Sequence, residues 1–485
     1  MPNPAGGQKY TDLPLNIVGS NKFGRYPKQS IEQTFNMIQA DNALVGFAGY
    51  EVVDVINPTG EGRGDYSSTI LNLLFVVIDN NLFSFDSSLS RTFIGALETY
   101  SGIVYMAENN AGQIAVSDSI NLYIWDSRSR TFTTLTDEML GFTPGYLTFQ
   151  NGRFITPALT TNNWRLSEPN NGLLWPNDAQ HVGSLQTKPD NAVGTIRFPG
   201  RSGLLLVFGE IVSEPWYDAG LQLFPYQRSQ TTNFDYGCVN PATIAEGENM
   251  VAWLSINEKS GPVISYTNGS EIEHISTDGI DFVMSNLTEP SDSFGYFLKL
   301  SGHLFYVLTF KTDNLTYAYD FNTKSFYTLT DEKMDFFTPR RIAFFNDEYY
   351  FVSINDGNLY RLSADLTSYN YGNGNEYEIP RIRVLSPIRL PDQSYFITGY
   401  AGFTIEQGTA AFIPPNDVPR IDLTMSKDGG YNFGGAGWKF LNPLGQRANR
   451  LMWYQLGMAN DLTLQYRFHG FNRYVCLDGI VGVFQ

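Results

Sequence analysis

NLYIWDSRSRTFTTLTDEMLGFTP, residues 121–144, returns later in the chain as NLTYAYDFNTKSFYTLTDEKMDFFTP, residues 314–339. Asp126 aligns with Asp320, Phe132 with Phe326, and Thr136-Asp137-Glu138 with Thr330-Asp331-Glu332, each at one offset (320 − 126 = 194). One inserted residue shifts Pro144 against Pro339. The match is too long and too close for chance, so the fold repeats. Alternating residues before each aspartate read as a strand, since successive side chains in a strand point to opposite faces. The aspartate then opens a turn, because its carboxylate can accept a hydrogen bond from backbone two residues on. The Thr-Phe-Thr-Thr-Leu or Ser-Phe-Tyr-Thr-Leu segment returns antiparallel.

Shorter echoes set the period. NLFSFDSSLSRTF begins at Asn81, earlier than its counterpart by 121 − 81 = 40 residues. Asn358-Leu359-Tyr360 follows Asn314 by 358 − 314 = 44 residues. Periods of about 40–45 residues with several strands each are the mark of propeller blades. Asn-Gly or Asp-Gly pairs at 151–152, 268–269 and 356–357 punctuate the apolar runs, as hairpin turns that need positive φ do. A lone four-stranded sheet cannot cover both its faces, whereas blades stacked around an axis cover each other's. The expected fold class is all-β: a β-propeller of six or seven blades over residues 46–385. Residues 160–199, rich in Asn, Pro and Trp, read as a long excursion or an irregular blade. Residues 1–45 read as an N-terminal arm. Residues 386–485, where the echoes stop, read as a C-terminal β-sandwich or platform.

Composition agrees. The chain has 485 residues, 15% aromatic and only 17% charged, with 29 Tyr and 35 Phe. That favours strands over long surface helices and excludes disorder. Apolar runs are far shorter than the roughly 20 residues of a spanning helix, so no membrane-spanning segment is expected. The N-terminus shows no secretory signal pattern. Two cysteines, Cys238 and Cys476, make no disulfide framework and are expected to be reduced and packed. A net charge of −17 argues against DNA binding through basic patches.

No catalytic or cofactor motif emerges. His181, His274, His303 and His469 do not pair at metal-ligand spacing. The glycine-rich GEGRGDY, residues 60–66, lacks the lysine and helix of a phosphate loop and reads as a flexible loop. Asp86, Asp126 and Asp320 repeat with the blades, which marks turn determinants rather than a glycosidase pair. Asp137-Glu138 and Asp331-Glu332 read as loop caps. Asp428 lacks the alternating oxygen ligands of a calcium loop.

More specific motifs lie further on. GLLLVFGEIVSEPWYDAG carries Phe208-Gly209, Ser213, Glu214, Trp216 and Tyr217, followed by Gly237-Cys238 and Trp253-Leu254. SKDGGYNFG (426–434) and RLMWYQLG (450–457) add a hairpin and a strand, and Arg25, Gln29, Ser30 and Asn36 mark the N-terminal segment. In these the chain resembles the tail hub, or tail nozzle, proteins of short-tailed, P22-like bacteriophages, also called packaged-DNA stabilisation proteins. It departs at Asn460, where the family commonly has Arg, and no basic contact is carried over to that position.

The resemblance implies a virion structural protein made in the host cytoplasm and built into the tail, not an enzyme. It implies a homo-hexameric ring below the portal and its adaptor (the head-to-tail connector). It further implies tail fibres or spikes as partners, a needle or plug, help in retaining packaged DNA, and DNA passing at ejection without sequence-specific binding. No cofactor or metal is implied. Trp438, Arg450, Trp453 and Tyr454 are the expected interface residues, since aromatics and Arg concentrate at interface centres. Core packing is the competing reading for the aromatics. The charge of −17 fits an acidic lining past which DNA slides, and equally an ordinary soluble surface. The alternative function is a virion-associated propeller glycosidase or a carbohydrate-binding protein.

Overall fold

A computed structural model describes residues 10–22, 32–230, 234–408, 418–447 and 450–484. Strands dominate. The α-helices among the described residues are Asp137–Leu140 and Asp278–Met284, and none is long and apolar enough to cross a membrane. Two compact units divide the chain: Val52–Asn314 with Thr338–Leu362, and Met1–Glu51 with Leu315–Phe337 and Ser363–Gln485.

The first unit is a run of small antiparallel sheets. Gly62–Ser68, Leu73–Ile78, Asn81–Phe85 and Arg91–Ala96 form one, and Tyr105–Glu108, Gln113–Ser117, Leu122–Asp126 and Thr131–Leu135 the next. Three more follow over residues 148–184, 192–228 and 237–274, and then the hairpin Phe294–Leu300 with His303–Phe310. A further sheet joins Ala343–Phe345, Glu348–Val352 and Gly357–Ser363 to the strand Gly49–Asn57, from a place some 300 residues earlier. There Val53 and Ile56 pack on its core, and the Ile56 N–H donates to Asn358 Oδ1 at 3.2 Å. This is the β-propeller that the repeats predict.

The burial of Leu73–Ile78 shows why blades stack. Phe75 and Val77 pack with Val104, Ile114, Val116 and Tyr123 of the following sheet. Leu74, Val76 and Ile78 point the other way, to Phe345, Tyr350, Val352 and Leu359. The strand is apolar at every position because both its faces are covered. Each such side chain contributes about 1.5–3 kcal/mol. Leu205 and Val207 against Leu206 and Phe208 repeat the pattern.

One reading of the sequence needs revision. GEGRGDY is not a loop: it runs into the strand Gly62–Ser68, with Arg63 and Asp65 buried. Its glycines serve close packing. A Cβ on Gly62 would sit 2.4 Å from the Ser353 carbonyl oxygen, and one on Gly64 would sit 3.0 Å from that of Val104. The stretch 160–199 contains a regular pair, Asn163–Leu166 with Val182–Ser184, joined by a long connection. Trp164 is fully buried there because Gly183, its register partner, leaves room for the ring.

The second unit holds two sheets facing one core. One contains Met37–Ala40, Ala43–Gly46, Val475–Phe484, Phe396–Ile405 and Leu451–Ala459, with Thr11–Leu15 on Val475–Phe484. The other contains Leu315–Asp320, Ser325–Thr328, Gln33–Phe35, Arg381–Val384, Thr463–His469, Arg420–Ser426 and the edge strand Gly434–Phe440. Phe403, Trp453 and Val481 of the first meet Ile421, Leu464 and Tyr466 of the second. These are the additional C-terminal, sandwich-like sheets. The compact units do not follow a single cut in the sequence: residues from the first 46 lie in these sheets.

The repeated aspartates act as turn formers. Asp126 Oδ1 accepts from the N–H groups of Arg128 and Ser129, Asp320 Oδ1 from Asn322, and Asp86 Oδ1 from Ser88 and Ser90. Asp428 closes its hairpin on the N–H groups of Tyr431 and Asn432, and these bonds and Ser426 hold its carboxyl down near about 2.

Candidate functional site

The four interface candidates lie in the sandwich unit. Trp438 stands on the edge strand Gly434–Phe440, opposite Asp422, and is 53% exposed. Its ring meets Phe440 edge-on at 4.5 Å. Tyr454 is 65% exposed on Leu451–Ala459, in register with Tyr400, and Met458 of the same strand pairs with Ile397. Tyr454 and Met458 are four positions apart on one strand, and Ile397 and Tyr400 three apart on the other across a bulge. The two register pairs form one outer patch, on which Ile397, Tyr454 and Met458 are exposed. Tyr10 extends it against Tyr400, ring to ring at 5.8 Å.

Arg450 is exposed and tied at its base: Nη2 donates to Asp478 Oδ1 at 2.6 Å and Nε to Thr404 Oγ1 at 3.0 Å. Trp453 differs. It is only 3% exposed, packs edge-on against Phe403, and donates Nε1–H to the Gly437 carbonyl at 3.0 Å. It takes the core-packing role and holds the backbone next to Trp438. Of the N-terminal motif, Arg25, Gln29 and Ser30 lie outside the described residues. Asn36 is buried and bonds Thr330 and the Pro380 carbonyl.

A second site, which sequence reasoning missed, is the centre of the propeller. Here two small adjoining cavities of about 20 and 90 Å³ share Tyr146 and Arg341 as walls. Arg63 and Gly64 come from the first blade strand, Tyr105 from the second sheet, and Arg340 from the segment entering the last. Asp65 is buried beside them. Burial pushes its carboxyl up to about 7, with the Arg341 charge and the Val352 backbone pulling it back. Burial alone would lower Arg341, but Tyr146, Asp65 and Glu246 outweigh it and hold its charge. Burial lowers Arg340, against the pull of Glu61.

One signal could have found this centre. Immediately after the repeat the two copies diverge: Gly145-Tyr146 in one, Arg340-Arg341 in the other. Tyr146 and Arg341 occupy equivalent places and meet by a hydrogen bond at the axis. Among the described residues no group of three or more His, Cys, Asp or Glu is placed to hold a metal ion. Cys238 and Cys476 are unpaired and buried, and burial pushes both thiols up to about 12.

The chain matches a family model over residues 24–367, more than half its length: Bacteriophage P22 Gp10, beta-propeller. No curated protein matches it. Among solved structures, a streptogramin B lyase is 13% identical, with 65% of this chain and 97% of that one covered and a TM-score of 0.43. A selenomethionine-substituted virginiamycin B lyase from Staphylococcus aureus is 12% identical, covering 65% and 99%, with a TM-score of 0.45. At these values the likeness says nothing of activity.

Proposed function

The chain belongs to the Bacteriophage P22 Gp10 β-propeller family of phage structural proteins, and from that premise we propose that it is a ring-forming tail hub, or nozzle. In this reading six copies sit below the portal and its adaptor and continue the DNA channel. They help to retain packaged DNA and anchor fibres or spikes, with a needle or plug as a further partner. The protein is made in the host cytoplasm and acts in the virion tail as a scaffold, not a catalyst. Its propeller is read over residues 46–385, with Leu315–Phe337 and the chain from Ser363 grouped with the sandwich unit.

The observation that carries the ring is the closed propeller centre. Its cavities measure only about 20 and 90 Å³, and Arg341 and Tyr146 stand between them. A duplex whose major groove alone is about 12 Å wide does not pass there. A DNA channel in this family member therefore has to be built between copies. Trp438 and Tyr454, on different sheets of the sandwich unit, supply exposed aromatics for such contacts, with Arg450 just before the strand of Tyr454, and Trp453 supports the strand of Trp438 from within. Native mass spectrometry of the purified chain tests the idea. A species of six times 54.5 kDa is expected; a protein that stays monomeric both in solution and in the particle would sink it.

A further inference from the structure

An acidic chain of net charge −17 holds at its propeller centre a small cavity whose walls carry formal charge of one sign. Arg63, Arg340 and Arg341 line it, and none of the described lining residues is acidic. Its volume is about 20 Å³. A single water needs at least roughly 10–15 Å³, so there is room for one water or one monatomic ion and for nothing larger. The three arginines are not equivalent. Arg63 is fully used: Nε donates to the Gly102 carbonyl, Nη1 to those of Asp79 and Thr99, and Nη2 to Thr99 Oγ1, all within 2.7–2.9 Å. It supplies field but no spare donor. Arg341 is engaged with Tyr146 and has the charge of Asp65 beside it.

Arg340 is the exception. It is 7% exposed, and its Nη2 donates to Glu61 Oε1 at 2.8 Å, but its buried Nε and Nη1 have no hydrogen-bond partner. A buried charged donor left unmet is costly, and native proteins leave few such groups without a ligand, ion or water. The guanidinium is held in place over the Phe294 ring at 5.7 Å, so it does not swing out to solvent. The other carboxylate near this cluster, Asp118 facing Arg63, is taken up by the hydroxyls of Thr99 and Tyr123.

The wall itself separates the two occupants that fit. Ile103, Val104, Ala242, Ile244 and Phe294 add hydrocarbon. The side-chain hydroxyls in it are those of Tyr105 and Tyr146, and Tyr146 is already spent on Arg341 and the Ile244 carbonyl. A water carries two O–H groups that want acceptors, and buried waters typically make about three hydrogen bonds. This wall is rich in cationic N–H groups and poor in side-chain acceptors. A halide only accepts, and its charge is opposite to that of the arginines. A large, weakly hydrated halide also gives up less on leaving water than a compact anion does. We propose that the propeller centre is a halide site, with a chloride ion seated at a free N–H of Arg340 and Arg63 and Arg341 supplying the field that holds it.

Potassium chloride and potassium bromide are the probes, and potassium gluconate at equal ionic strength is the control, so that screening is matched. Gluconate is too large for the space. Thermal melts of the full chain are expected to show a saturable rise in Tm of a few degrees with either halide over gluconate, since an ion bound by the native state alone stabilises it. Crystals grown in bromide should show an anomalous peak beside the Arg340 guanidinium. Arg340→Gln should abolish the difference between chloride and gluconate. Should that variant fail to fold, Glu61→Gln serves: it frees Nη2, removes the nearest negative charge and should tighten chloride several-fold. Equal Tm in chloride and gluconate would overturn the site. So would bromide crystals with only water at Arg340, or an unchanged halide response in Arg340→Gln or Glu61→Gln. None of these results depends on whether the protein forms a ring.

Discussion

Asp65 and Trp453 show how much a single side chain's role depends on what folds around it. Within Arg-Gly-Asp, Asp65 reads as an exposed loop carboxylate, yet it is 2% exposed on a blade strand with its carboxyl pushed up to about 7. In the unfolded chain an aspartate titrates near 3.9. Between that value and about 7 the native state holds a proton that the unfolded state has released, so stability falls as pH rises through this window. Asp65→Asn removes the charge and keeps the shape. Denaturant unfolding at pH 4 to 8 should therefore show a shallower pH slope in the variant, by up to about 1.4 kcal/mol per pH unit, with the larger relative gain at pH 8. Parallel pH profiles for the two proteins would contradict the assignment. Trp453→Ala should cost about 3–5 kcal/mol in the same assay, because it empties a core site and frees the Gly437 carbonyl. The burial of neither residue was legible locally. Arg-Gly-Asp and Arg-x-x-Trp are compatible with surface or core until the packing partners arrive.

At the scale of elements the repeat was legible and its local variants were not. Thr136 and Thr330 occupy equivalent positions in the two copies, but their hydroxyls do different work. Thr136 caps the short helix Asp137–Leu140, accepting from the Met139 N–H at 3.4 Å. In the second copy, with its inserted residue, no helix follows. There Asp331 closes a turn on Lys333 and Asp335, and Thr330 Oγ1 accepts from the buried Asn36 side chain at 2.8 Å. Thr136→Ala should cost about 0.5–1 kcal/mol, a weak cap lost. Thr330→Ala should cost more, about 1–3 kcal/mol, since a buried amide donor loses a partner. Equal losses on chemical unfolding would count against this distinction. Strand alternation and turn residues identified both hairpins from sequence. Which hydroxyl meets a distant asparagine is settled only by chain packing.

For the whole molecule, assembly and DNA handling are the quantities to measure. Trp438→Ala with Tyr454→Ala removes two exposed rings that add little to the core, so Tm should change by no more than a few degrees while the hexamer weakens. Loss of the fold, or an undisturbed ring by native mass spectrometry, would show that these rings serve another purpose. With net charge −17, duplex DNA should not be retained in filter binding at roughly 0.15 M salt, because the phosphate contacts that drive non-specific binding are repelled. Tight retention under those conditions would remove the case for an acidic, non-stick channel.

The repeated hairpin, its spacing of about 40 residues and the aromatic, charge-poor composition were enough to establish an all-β propeller, because strand alternation and turn chemistry are local. They also showed that residues 386–485 leave the pattern. Tertiary structure alone decided the rest. Gly49–Asn57 joins a sheet some 300 residues downstream, and the described residues 10–22 and 32–46 enter the sandwich unit. Gly62 and Gly64 are packing contacts, and Tyr146 and Arg341 meet at the axis. Each depends on which distant backbone approaches which strand. That is a sum of many small burial energies over the whole chain, and no short window of residues contains it.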